Sequence, residues 1–476
     1  MQNPVPFTAN RSKVLMAAFG LVMLGSQASA QIANPSEQVL LSMKDAKATE
    51  VQSQGFTLHK NMKVHVYAKG GGVEGEPLYA KGRGGEGEPF YAYGWILNAA
   101  TREVVWQMDG RTAHADGVYQ VADAYIDLPQ GSYEAYYAHH AYAQSGSYLM
   151  FSSRNLDRRP SKLDGSHDES HGRWLQRLFT GGSRGNGAWE RRVGNYGMEL
   201  YLQANEAASA EKFKAPLNWK NEFIALVPDK DDGCWTASFH ARRAVTLHVY
   251  AQGEYAGDGE FADHGWILDA HTRRPVWEMN SGKAQYGGGD KKNRRQVETI
   301  QLPAGDYIAT YVTDGSHSPA DWNAAPPCDP LRYGLILALP KDADLSQVAH
   351  APAPETAPIL AELVRMGNHQ NERRVFTLQT PAKVRVYAIG ERDGDELADT
   401  AWIEDGQGKT VWSMSARNTQ HAGGAEKNRM ADEVLDLPKG SYVLCVRTDG
   451  SHSYPRWNDS APWDAERYGA TVYAVK

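Results

Sequence analysis

Cysteine is scarce in this chain: Cys234, Cys328 and Cys445 are the only three among 476 residues. An odd number of thiols at unrelated places cannot supply a disulfide framework, so the fold must be held by its core. Long apolar runs are missing as well. The longest, Val14 to Gly25, has 12 residues, short of the roughly 20 that a membrane-spanning helix needs. Positive charge is not in excess either: 50 Lys and Arg against 57 Asp and Glu leave a net −7, which offers neither nucleic acid nor an anionic membrane an attractive field. No phosphate-binding glycine loop, dinucleotide fingerprint or Cys-x-x-Cys pair occurs. Gly181-Gly-Ser183-Arg-Gly185 has the spacing of a hydrolase nucleophile elbow, yet it follows a helix-like stretch instead of a strand and runs into a glycine-rich loop, so we reject it.

What is present is enough apolar material for packed cores, 41% of the chain, and a length that suggests about three domains of roughly 150 residues each. Arg11 and Lys13 precede the Val14 to Gly25 run, and Ala28-Ser29-Ala30 follows. This charged, apolar, small-residue order is that of a signal peptide over residues 1–30, cleaved to leave Gln31 first and placing the protein in the periplasm or outside the cell.

The rest of the chain repeats itself. Val245 to Leu339 aligns with Val384 to Val475: Leu247-His-Val-Tyr-Ala with Val384-Arg-Val-Tyr-Ala, Trp266-Ile with Trp402-Ile, Val276-Trp-Glu-Met with Val411-Trp-Ser-Met, and Leu302-Pro-Ala-Gly-Asp-Tyr with Leu437-Pro-Lys-Gly-Ser-Tyr. A diverged first copy carries Val64-His-Val-Tyr-Ala, Gly94-Trp-Ile-Leu, Val105-Trp-Gln-Met and Leu128-Pro-Gln-Gly-Ser-Tyr. It also holds two insertions, a tandem glycine-rich duplication over residues 69–92 and a longer one between His140 and Asn195. Such constancy indicates duplication of a folding unit. The modules are 31–203, 216–340 and 355–476, with Ala204 to Pro216 and Lys341 to Pro358 read as linkers from their Ala, Pro and charge content.

Within a module the apolar period is two: Val245, Leu247 and Val249 alternate with Thr246, His248 and Tyr250. These are strands. Roughly eight per copy, with little helix, predict three tandem jelly-roll-like antiparallel β-sandwich modules after the signal peptide. Leu-Pro-x-Gly-x-Tyr sets turn residues between two strands and predicts a hairpin. This motif resembles the hairpins of secreted pre-peptidase C-terminal-like β-sandwich accessory modules, a resemblance that covers one hairpin per copy and carries over no functional residue.

The block with most chemistry is Thr313-Asp314-Gly-Ser-His317-Ser, then Trp322-Asn323, Asp329 and Arg332-Tyr-Gly; it recurs as Thr448-Asp449-Gly-Ser-His452-Ser, then Trp457-Asn458, Asp464 and Arg467-Tyr-Gly. A second block, Lys292-Asn293-Arg294, recurs as Lys427-Asn428-Arg429. If Leu302 opposes Tyr307 in a hairpin, Arg294 lies beside Asp314, and Arg429 beside Asp449 in the same way. The first copy lacks both the Arg and the Asp. One reading makes Arg294, Asp314, His317, Trp322, Asn323 and Asp329, and their counterparts Arg429, Asp449, His452, Trp457, Asn458 and Asp464, a shallow site for a sugar stacked on the Trp. Another makes them structural: an Asx turn at Asp314, an ion pair to Arg294, His317 bonded to backbone, and Trp322 capping the core. A third holds Ca²⁺ between Asp314, Asp329 and backbone oxygens.

The Trp pairs 95/106, 266/277 and 402/412 are expected to face each other across a turn and to pack into the core, with the last pair one residue closer. His139, His140, His167 and His171 form a conceivable metal set, although the Glu of His167-Asp-Glu-Ser-His171 is misplaced for a zinc protease. The sequence therefore reads as an exported non-catalytic protein that binds a carbohydrate or other envelope component through the Asp-Gly-Ser-His-Ser loops. The alternatives are a metal-dependent hydrolase built on the first module's histidines, and a structural spacer or assembly protein.

Overall fold

A computed structural model describes residues 36–46, 50–71, 90, 92–116, 119–139, 196–257, 259–350 and 357–475. The chain is mainly β, with antiparallel strands throughout and only three-residue 3-10 turns for helix among the described residues. Its sheets fall into consecutive pairs along the sequence. In the middle pair, one sheet runs Glu222–Leu226, Leu335–Ala338, Val245–Gly257, Asn293–Leu302, Gln285–Tyr286; the other runs Pro275–Glu278, His264–Asp269, Gly305–Val312, Cys234–Ala241, Val348–His350. The preceding and following pairs repeat this order, the last without the Val348–His350 edge. We refer to each pair and its core as a unit. The alternation in the sequence explains the core: Val245, Leu247, Val249 and Ala251 are buried together with Ile267, Trp277, Ala309, Tyr311 and Leu337 from both sheets.

The two stretches read as linkers are partly structured. Ala210–Phe213 pairs with Val51–Leu58, and Val348–His350 pairs with Cys234–Ala241. Each covers an edge that would otherwise present unpaired backbone groups.

The Leu-Pro-x-Gly-x-Tyr motif is not a hairpin. Asn293–Leu302 pairs with Val245–Gly257, whereas Gly305–Val312 pairs with Cys234–Ala241 and His264–Asp269. The motif is thus an arch that carries the chain from one sheet to the other. Alternation within a strand is the same whichever neighbour it pairs with, so the pattern could not distinguish the two. The tyrosine explains why the arch is built this way. Its hydroxyl donates back to the proline carbonyl four residues earlier, at 2.8 Å from Tyr133 to Pro129, 3.0 Å from Tyr307 to Pro303 and 2.8 Å from Tyr442 to Pro438. Its ring stacks in the core, on Phe56, Phe239 and Phe376 respectively. This is the arrangement of a tyrosine corner.

The Trp pairs also differ from expectation. Trp277 is opposite Ile267, and Trp266 is opposite Glu278, so the two rings point to opposite faces. Trp277 packs in the core and Trp266 on the outer face. A register shift interrupts the hairpin in every copy; what sets the third apart is its shorter turn.

Tyr307→Phe keeps the ring and removes one hydrogen bond. It is expected to cost about 0.5 to 1.5 kcal/mol, against roughly 3 to 5 kcal/mol for Tyr307→Ala. Urea denaturation of both variants checks this, and equal losses would refute the corner.

Candidate functional site

The Asp-Gly-Ser-His-Ser loops leave the inner strand of one sheet and fold back over the end of the sandwich. Asp314 Oδ1 accepts Ser316 N–H at 2.9 Å, and Asp449 accepts Ser451 N–H at the same distance, so the expected Asx turns form. The chain then turns through the left-handed region at His317 (φ 62°) and His452 (φ 49°), which drives each ring inward. His317 is fully buried, with Nδ1 2.9 Å from Asn323 Oδ1 and Nε2 2.5 Å from Asn293 Oδ1. His452 repeats this with Asn458 and Asn428 at 2.9 and 2.6 Å. The rings therefore bond to side-chain amides, not to backbone. Burial, with the nearby lysine, holds both below the ordinary histidine range, His452 down to about 4.

The two sequence blocks do meet, but through Lys292 and Asn293 instead of Arg294. Lys292 Nζ donates to Asn323 Oδ1 at 2.6 Å and to Glu254 Oε1 at 2.8 Å. Arg294 bonds the carbonyls of Lys291 and Asn293 and lies over the Tyr255 ring. Arg429 bonds Thr419. Neither forms the expected ion pair with Asp314 or Asp449, because the register that placed them together assumed the hairpin. Trp322 shows 6% of its surface and packs edge-on to Tyr333 and His317. Trp457, partly buried, does the same with Tyr468 and His452. Each tryptophan is thus packed against the histidine of its own loop and the tyrosine that follows it.

Asp329 and Asp464 leave this cluster altogether and receive the preceding unit. Asp329 is buried and accepts Arg102 Nε at 2.8 Å and Nη2 at 2.5 Å, plus the Tyr250 hydroxyl at 2.7 Å. Arg102 also grips Glu134 of its own unit at 2.7 and 2.9 Å. Burial opposes the charge on Arg102, but Asp329 and Glu134 outweigh it and raise its pKa. Alongside, Trp95 Nε1 donates to the Cys328 carbonyl at 2.6 Å. The next junction repeats the parts: Trp266 Nε1 donates to the Trp463 carbonyl, and Arg273 lies 3.5 Å from Asp464. Trp463 returns a bond to Glu278 at 2.6 Å, and Trp266, Leu268, Ile308 and Val312 cluster with Ala461 and Ala465. Asp329 is thus not available to complete the calcium set with Asp314 that the sequence suggested.

Local turn chemistry places each arginine. Asn98 Oδ1 accepts Ala100 and Thr101 N–H groups, Asp269 Oδ1 accepts those of His271 and Thr272, and Arg102 and Arg273 follow at φ 60°. A left-handed arginine costs about 1 to 2 kcal/mol, which the junction offsets. In the third copy the turn is one residue shorter, and Gly408 takes the left-handed position at φ 80°. There Trp402 bonds Glu404, and Arg373 pairs with Glu404 on the outer face. The docking set is not repeated. Sequence reasoning missed Arg102 and Arg273, although their recurrence seven residues after Trp95 and Trp266, and its absence after Trp402, is visible in the sequence.

Beside each histidine plug lie three carboxylates, Glu254, Asp263 and Asp314 in one unit and Glu391, Asp399 and Asp449 in the next. Asp263 Oδ1 accepts Asp314 N–H at 2.8 Å and Oδ2 accepts the Tyr333 hydroxyl at 2.8 Å. Asp399 does the same with Asp449 and Tyr468 at 2.6 Å each. Burial raises Glu254, Asp263, Asp314, Glu391 and Asp399, with Glu254 pushed up to about 7 and Asp399 to about 6.

Of the proposed metal histidines, His139 is buried, with Nδ1 3.2 Å from the Ala46 carbonyl and its ring edge-on to Tyr196. His140, His167 and His171 lie outside the described residues, as do residues 1–35, where the sequence leads one to expect a signal peptide, and most of both insertions. The cysteines are free thiols, and burial pushes Cys234 and Cys328 up to about 12, a shift that disfavours the nucleophilic thiolate. Compared with known protein families and with curated proteins, the chain matches none.

Proposed function

We propose that this is an exported, non-catalytic β-sandwich protein that acts as a stiff spacer or assembly scaffold in the cell envelope. The observation that carries the reading is the repeated junction: at two successive places an outward Trp bonds a carbonyl of the next unit while a left-handed Arg forms an ion pair with its buried Asp. Tethered domains with small polar contacts move independently; here each contact combines an ion pair with an apolar face. Asp329 and Asp464 supply the socket, and His317 with Asn323, like His452 with Asn458, lies beneath the loop that carries it. The order Arg11, Lys13, Val14 to Gly25, Ala28-Ser29-Ala30 supports export.

Small-angle X-ray scattering of the full chain tests the proposal. One fixed arrangement of units is expected to fit the profile, and a profile that requires freely moving units would overturn it. Arg102→Ala strands Glu134 and Asp329 as buried charges and is expected to cost about 3 to 5 kcal/mol. Arg273→Ala, which loses one longer contact, is expected to cost less. Urea denaturation of the intact variants gives the order, and a reversed order would show that the first junction is not held by its ion pair.

A further inference from the structure

The carboxylate clusters have a geometry that neither the junctions nor the fold requires. In each, one oxygen from every member lies within 4.8 Å of the others. Two oxygens on one calcium ion, at about 2.3 to 2.6 Å each, can stand up to about 4.6 to 5.2 Å apart, so a separation within this bound admits calcium. Each cluster sets three carboxylates against one ammonium, with Lys292 on Glu254 at 2.8 Å and Lys427 on Glu391 at 3.0 Å. With all three ionised, the excess equals the charge of one divalent cation.

A second observation is independent of this spacing. Glu254 and Glu391 are 8% and 6% exposed, and in both the Oε2 atom is buried without a hydrogen-bond partner. A buried carboxylate oxygen without a donor is costly. The same atom is left in the same state in two copies.

The first copy shows that the fold does not need these side chains. Gly71 and Ala92 stand where Glu254 and Asp263 do, and they keep the same backbone bond, at 3.1 Å in each case. The preceding glycine makes the approach possible: a Cβ on Gly70, Gly253 or Gly390 would come within 1.9, 2.0 or 2.2 Å of the facing carbonyl. In sequence, His140 follows where Asp314 stands and Val118 where Lys292 stands. All three carboxylates and the lysine are therefore replaced together.

We propose that Glu254, Asp263 and Asp314 bind one calcium ion, and that Glu391, Asp399 and Asp449 bind a second. Calorimetric titration of the chelator-treated full chain with calcium chloride is expected to give two ions per chain, with dissociation constants on the order of 10⁻⁴ to 10⁻³ M, as in extracellular modules. Calcium is expected to raise the melting temperature, and magnesium to do so less. Glu254→Gln, which keeps the shape of the side chain but weakens its pairing with Lys292, is expected to reduce the count to one ion, with its calcium-free melting curve checking that it still folds. Glu254→Gln with Glu391→Gln is expected to abolish binding. No binding up to about 10 mM calcium, well above that range, or binding unchanged in the double variant, would overturn the proposal. A parent stoichiometry of one would overturn the assignment for whichever unit's variant leaves that ion in place.

Discussion

The arrangement of this protein depends on a buried charge that neither partner could keep alone. Arg102 reaches out of a left-handed turn, holds Glu134 beneath it, and enters the loop of the following unit to meet Asp329. Removing the cation from such a site leaves two carboxylates in a poorly solvated interior, so the units are bound by the penalty of separation as much as by attraction. Trp95 and the neighbouring apolar face exclude water from the pair, and the Trp N–H finds its partner in a backbone carbonyl across the junction.

The receiving loop is preorganised by its own interior. His317 fills the space beneath it, held between Asn293 and Asn323, and Lys292 ties Asn323 to Glu254. The same loop therefore carries the histidine plug, the carboxylates and the aspartate that receives the arginine. The copies diverge at this turn: the third has a glycine in place of the left-handed arginine, and an Arg373–Glu404 ion pair on its outer face.

Much of this was legible. Period-two alternation in segments such as Val245 to Val249 revealed the strands, and the recurrence of Trp-Ile and Leu-Pro-x-Gly-x-Tyr revealed the duplication. Whether Leu302 pairs with Tyr307 is not legible, because a Pro and a Gly between two strands serve a hairpin and an inter-sheet arch equally well. A hairpin register carries Arg294 to Asp314, whereas the residues that the first copy replaces together include Glu254 and Asp263, where Gly71 and Ala92 stand.

The sequence by itself determined the strands, the repeat, the Asx turns and the absence of a disulfide framework, because each rests on neighbours within a few residues or on composition. Only the tertiary structure decided which strands pair, which face each tryptophan takes, and that Asp329 answers Arg102 across 227 residues. Those choices depend on how two sheets close over one core and on which outer face then meets another unit. Partners brought together by packing have no fixed spacing along the chain.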